Sequence, residues 1–175
     1  MGQRTAIILQ HVNKYAAKYY KTQETNTRVF YHGWGIGRVL PSQLISILNG
    51  TLSESTRNHD FADSIKPQGC QDVTASLDKF NLNALSFDTP KAIGEVLCEC
   101  GNNNGGIFVR ITNDENGQSK AIEFAYMLGY EEGGDYMSFC SSGEWMEKTG
   151  CGCIDDEFRK IYDSTIQYFK AVERS

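Results

Sequence analysis

Ile107-Phe108-Val109-Arg110-Ile111 and Ile122-Glu123-Phe124-Ala125-Tyr126-Met127-Leu128, joined across Asn116-Gly117, set the fold class. Ile107, Val109 and Ile111 alternate on one side of the first segment, and Ile122, Phe124, Tyr126 and Leu128 alternate along the second. Asn-Gly between alternating segments marks a tight hairpin, because both residues tolerate positive φ. Gly133-Gly134 offers a further turn, into Asp135-Tyr136-Met137-Ser138-Phe139-Cys140 as a third strand. Upstream, Asp88 or Thr89 caps a helix with Pro90 at its first position. Ile93, Val96, Leu97 and Cys100 form its apolar stripe, and Gly101 ends it. Downstream, a helix capped near Asp155 carries Phe158, Ile161, Tyr162, Thr165, Phe169 and Val172 on one side.

The amino-terminal part adds two strands, Thr5–Val12 and Arg28–Trp34. Between them, Asn13 to Asn26 is polar and predicts a long hairpin loop. Pro41–Gly50 predicts a short helix with Leu44, Ile47 and Leu48 on one face and Asn49-Gly50 as its exit. Residues 51–83 are rich in Thr, Ser, Asn and Asp and predict one short helix near Val73–Phe80. Consecutive hairpins imply antiparallel pairing. The expected architecture is therefore α+β, an antiparallel sheet of about five strands with helices packed on one face, built as one domain over residues 1–175.

The composition is that of a globular chain, 40% apolar and 22% charged, with three prolines and no low-complexity tract. No apolar run approaches the roughly 18 residues of a membrane-spanning helix. The start lacks the long apolar core of a signal peptide, so a cytoplasmic protein with no membrane association is expected. The net charge is −5, but residues 1–40 carry +5 and the remainder −10. Such segregation predicts a bipolar surface suited to steering a charged partner.

The reactive side chains are few. Cys70, Cys98, Cys100, Cys140, Cys151 and Cys153 are expected to stay reduced, and Cys-x-Cys spacing is not the Cys-x2-4-Cys of structural zinc, so no metal is expected. His11, His32 and His59 are the only histidines, and His59-Asp60 predicts a solvated loop pair. No phosphate-binding Gly-x4-Gly-Lys-Ser/Thr, Gly-x-Ser-x-Gly or His-Glu-x-x-His occurs. Two surface features remain. Lys14, Tyr15, Lys18, Tyr19, Tyr20 and Lys21 interleave cations with aromatic rings, a pattern that can touch nucleic acid. Glu131, Glu132 and Asp135 crowd a tight turn, where like charges repel unless a basic protein surface meets them.

Two resemblances bear on function. Tyr31-His32-Gly33 followed by Leu44–Gly50 resembles the first motif of diphtheria-type ADP-ribosyltransferases, and Leu85-Ser86-Phe87-Asp88-Thr89 is similar to the second. That resemblance implies NAD as cofactor, with His32 on its ribose, Ser86 lining the nicotinamide pocket, and Glu144 or Glu123 as the late-strand glutamate. Trp34 and Leu85 depart from the family pattern. The opening Met1-Gly2-Gln3-Arg4-Thr5-Ala6-Ile7, with Phe30-Tyr31-His32-Gly33-Trp34-Gly35, resembles small proteins of phages and mobile elements of gut bacteria. Inhibitors of host defence nucleases, anti-CRISPR proteins among them, are common in that company. The expected function is accordingly a non-enzymatic binder of a basic, nucleic-acid-handling host protein, with an NAD-dependent enzyme as the alternative.

Overall fold

The computed structural model describes residues 4–34, 39–65, 67, 69–101, 104–118, 120–130, 133–149 and 156–174. Its centre is one sheet. β1 (Thr5–Asn13) lies between β2 (Thr25–His32) and β4 (Gly106–Asn113), and the full strand order is β3-β2-β1-β4-β5-β6. β3 (Gln71–Asp72) and β6 (Val172–Glu173) are two-residue edges, and β5 is Ala121–Met127. The expected hairpins are present: β1 pairs antiparallel with β2, and β4 with β5. β1 and β4 run parallel, however, as do β5 and β6, so the sheet is mixed rather than antiparallel and has six strands rather than five.

The helices do not share one face. α2 (Val39–Ser53), α3 (Phe61–Ser64) and α5 (Ser142–Lys148) cover the face that presents Ile7, Leu9, Phe30, Val109 and Phe124. α4 (Pro90–Glu99) covers the opposite face against Ala6, Ile8, Val29 and Phe108, using the predicted Ile93, Val96 and Leu97. The physical reason lies in β1. Ala6, Ile7, Ile8 and Leu9 are all fully buried, and an unbroken apolar run needs cover on both faces. A strand of that kind belongs in the middle of a sheet, and the long crossover from β2 to β4 supplies helices for either side.

Several local expectations change, among them the exit of α2, which runs past Asn49-Gly50 to Ser53. Lys14–Tyr19 is a helix, α1, rather than a loop, because Asn13 caps it: Asn13 Oδ1 accepts from the Ala16 N–H at 3.0 Å. Residues 135–140 form no strand beyond a single bridge from Cys140 to Tyr126. Asp135 Oδ1 accepts instead from the Met137 N–H and the Ser138 hydroxyl, which curls the segment into a turn. Ser141 then caps α5, its hydroxyl accepting from the Glu144 N–H at 3.1 Å, a start signal that Ser141-x-x-Glu144 carries in the sequence. Finally, α6 (Asp156–Tyr168) stops before Val172, where the chain passes through Lys170 at φ +49° and joins β5 as β6.

Candidate functional site

The end of the sheet at the carboxyl termini of β1 and β4 is built around two asparagines. Asn113 Nδ2 donates to Asn13 Oδ1 at 2.8 Å and to the Thr56 carbonyl at 2.6 Å. Asn13 Nδ2 donates to the carbonyls of Asn58 at 2.9 Å and Arg57 at 3.3 Å. Both asparagines are almost fully buried. Asn13 therefore caps α1 with its oxygen and latches the 56–58 loop with its nitrogen, so that one side chain sets the position of two surface segments.

Those segments meet in a run of rings. Tyr15 contacts Tyr19 at 4.7 Å and Tyr20 at 6.3 Å between ring centroids, and Tyr20 contacts His59 at 5.9 Å. The Arg57 guanidinium lies over Tyr15 at 5.2 Å, and Lys18 Nζ lies 5.5 Å from the Tyr19 ring. Tyr19 and Tyr20 are 55% and 58% exposed, unusual for tyrosines anchored this firmly. Lys14 and Lys21 are exposed beside them, and neither makes an ion pair among the described residues. The predicted set Lys14, Lys18 and Lys21 is thus brought together on one short helix and its exit. Arg57 and His59 are members that sequence reasoning missed, because the contact spans about forty positions and only the asparagine latch creates it.

The charge segregation of the sequence is partly cancelled by folding. Lys18 pairs with Glu115 at 3.3 Å, and Arg28 is bonded to Asp63. Burial alone would raise the Asp63 pKa, but Arg28 and Asn26 hold it below the usual carboxylate range. The two predicted contact regions lie at opposite ends of the sheet. α1 stands beyond the carboxyl end of β1, whereas Asp135 sits near its amino end, where the Tyr136 backbone packs on Gly94 of α4. A Cβ at Gly94 would lie 1.8 Å from the Tyr136 carbonyl oxygen, so only glycine permits that approach. Asp135 lines a cleft of about 540 Å³ together with Lys79, Glu95, Cys98, Tyr136 and Met137. Its carboxylate is held below its ordinary range by the Met137 N–H. Burial and Glu95 raise the Cys98 thiol, which stays protonated at neutral pH. Glu131 and Glu132 lie outside the described residues.

The residues implied by the ADP-ribosyltransferase resemblance are not brought together. His32 ends β2 opposite Thr5 and, two residues from Phe30, shares the face covered by α2. The Leu85 carbonyl accepts from Gln10 at 3.0 Å and Phe87 packs on Phe108, which puts Ser86 between them on the other face of the sheet and farther along β1 than Thr5. Glu144 is on α5 over β5, about 14 Å across three strand spacings from β2, and not on a strand. His32 and Ser86 also have local partners. His32 Nδ1 accepts from the Trp34 N–H at 2.9 Å, and the Ser86 hydroxyl accepts from the Asp88 N–H. Glu123 is on β5 and bonded to Arg174. The histidines do not converge either: His11 is buried on the sheet, His32 is at its far end, and His59 is on the tyrosine cluster.

Among the described residues, no three metal-ligating side chains gather; Cys151 and Cys153 lie outside them. No described helix is long and apolar enough to cross a membrane. No family model, curated protein or solved structure matches the chain.

Proposed function

We propose that this chain is a non-enzymatic binding protein of a phage or mobile element that inhibits a nucleic-acid-handling host defence protein, and that the α1 end of the sheet is its contact face. The observation that carries this reading is the pair of exposed tyrosines on a firmly latched helix. Tyrosine gives a large contact area at low side-chain entropy cost and is enriched where binding energy concentrates. The asparagine latch fixes the rings before any partner arrives, which removes part of the ordering cost of association.

The test is capture from a bacterial lysate on the immobilised chain. The double variant Tyr19→Ala, Tyr20→Ala is expected to lose the partner that wild type retains, while its circular dichroism stays unchanged. Equal recovery by both proteins would remove α1 from the contact. NAD turnover in a parallel assay would restore the enzyme alternative.

A second contact is the cleft beside Asp135. Glu99 in its lining is paired with Lys79, and Lys91 lies there too, which leaves Glu95 and Asp135 beside the exposed Met137 as the acids open to a basic partner surface. Charge reversal at Glu131 and Glu132, with the turn acceptor Asp135 left in place, is expected to slow association and flatten its salt dependence. Unchanged association rates across a salt series would show those acids to be solvated only.

A further inference from the structure

Resting on the assignment of α1 as the contact face, we infer that this face takes single-stranded nucleic acid, with bases stacked on Tyr19 and Tyr20 and phosphates held by Lys14, Lys21 and Arg57. The rings Tyr19, Tyr15, Tyr20 and His59 touch one another in sequence at 4.7, 6.3 and 5.9 Å. The inner ring, Tyr15, is half-buried, and Arg57 covers it. The outer rings are therefore braced from behind while more than half of their surface faces solvent. A base has a π-face whatever its identity, so a braced, exposed ring binds it without reading sequence.

The charges around the rings complement a phosphate chain. Lys14 and Lys21 bracket α1 and have no carboxylate partner among the described residues. Lys18 is compensated by Glu115 and adds little. A duplex is a poorer match, because stacking needs bases free of their neighbours and α1, at six residues, is too short to lie along a groove. The sign of this face is opposite to that of the whole chain, so attraction is local and binding should weaken steeply with salt.

Fluorescence anisotropy of a labelled oligothymidylate of about twelve nucleotides, long enough for a single stacking site, measures this with the full chain. A duplex of the same length serves as comparison. The single strand is expected to bind more tightly than the duplex. Tyr20→Ala should weaken it by about tenfold, whereas Tyr20→Phe, which keeps the ring, should bind as wild type. Lys14→Gln with Lys21→Gln should lower the slope of log affinity against log salt by about 1.4, the loss of roughly two phosphate contacts at about 0.7 each. The inference is overturned if wild type shows no binding to the single strand at low salt, if Tyr20→Ala binds as wild type does, or if the salt slope is unchanged. Loss of the lysate partner by Tyr19→Ala, Tyr20→Ala, with no binding of the single strand by wild type, would leave the contact face standing and refute only its nucleic-acid occupant.

Discussion

Asn13→Ala is expected to lower the unfolding free energy by about 3 kcal/mol and to disperse the tyrosine cluster as it does so. The wild-type amide makes a helix cap, a bond from Asn113, and two bonds to loop carbonyls. A lost cap costs about 1 kcal/mol, and each buried neutral hydrogen bond contributes about 1 kcal/mol net. The 3.3 Å bond to Arg57 is the weakest of the set and is counted at little. Asn13 is only 3% exposed, so water cannot readily replace what the truncation removes. Asn113 Nδ2 would keep the Thr56 carbonyl but lose its Asn13 acceptor, which adds to the cost.

Two measurements separate this from simple destabilisation. Urea unfolding reads the lost stability. Quenching of tyrosine fluorescence, measured where the variant is still folded, reads whether Tyr15, Tyr20 and His59 have parted. If stability falls while quenching and partner capture are unchanged, the latch holds the fold but does not set the contact face. Asn113→Ala makes a useful companion. It removes the Thr56 bond, the bond to Asn13 and the 3.4 Å bond that Asn113 Oδ1 accepts from the Tyr15 N–H, but leaves the Asn13 cap of α1 in place. It is expected to free the loop with a smaller loss at the helix start, and so to move Arg57 and His59 more than Tyr19.

The latch also marks where the sequence stops being legible. The β4–β5 hairpin follows from alternation and from Asn116-Gly117, and α4 follows from Pro90 and its stripe, because each rests on contacts between near neighbours in the chain. The choice between a one-sided and a two-sided sheet was written in Ala6-Ile7-Ile8-Leu9, whose unbroken apolar run has no solvent-facing residue. Alternation in the carboxyl-terminal hairpin pointed the other way. Phe108, Ala125 and Met127 are buried on the second face as well, and only their mixture with Arg110 and Glu123 gave that strand pair a half-polar look.

The site was legible in part for the same reason. Lys14, Tyr15, Lys18, Tyr19, Tyr20 and Lys21 are contiguous, so their grouping survives any fold. Their helical form was hidden because Asn13 serves as both the last strand residue and the cap. Arg57 and His59 join them only through bonds to backbone carbonyls, and a carbonyl has no signature in a sequence. The expected roles of His32 and Ser86 failed to meet for the converse reason. Short motifs such as Tyr31-His32-Gly33 specify a strand end, but not the face or the end of the sheet to which a second motif is delivered.

The remaining large effect is acid sensitivity, and it follows from His11. This residue is 1% exposed, with its ring 4.6 Å from that of Phe61. Neither ring nitrogen completes a hydrogen bond of good geometry. Burial lowers its pKa from 6.5 to about 4, and the nearby Thr56 backbone offsets only part of that shift. The folded chain therefore keeps His11 neutral in a range where the unfolded chain protonates it. The unfolded state binds more protons between pH 6.5 and about 4, so stability is full above pH 6.5 and is lost as the pH falls through that window. At about 1.4 kcal/mol per pH unit the total loss approaches about 3 kcal/mol near pH 4. The Asp63 carboxylate on α3 is engaged by Arg28 and Asn26 and does not compensate the imidazolium. His11→Leu removes the titrating group and keeps an apolar side chain of similar size against Phe61. Urea midpoints of both proteins at pH 7, 5.5 and 4.5 provide the measurement. The variant is expected to lose markedly less stability than wild type between pH 7 and 4.5, since acid effects from carboxylates are common to both. Parallel curves for the two proteins would mean that His11 titrates normally, and with it the account of a neutral imidazole sealed under the 56–58 loop would fall.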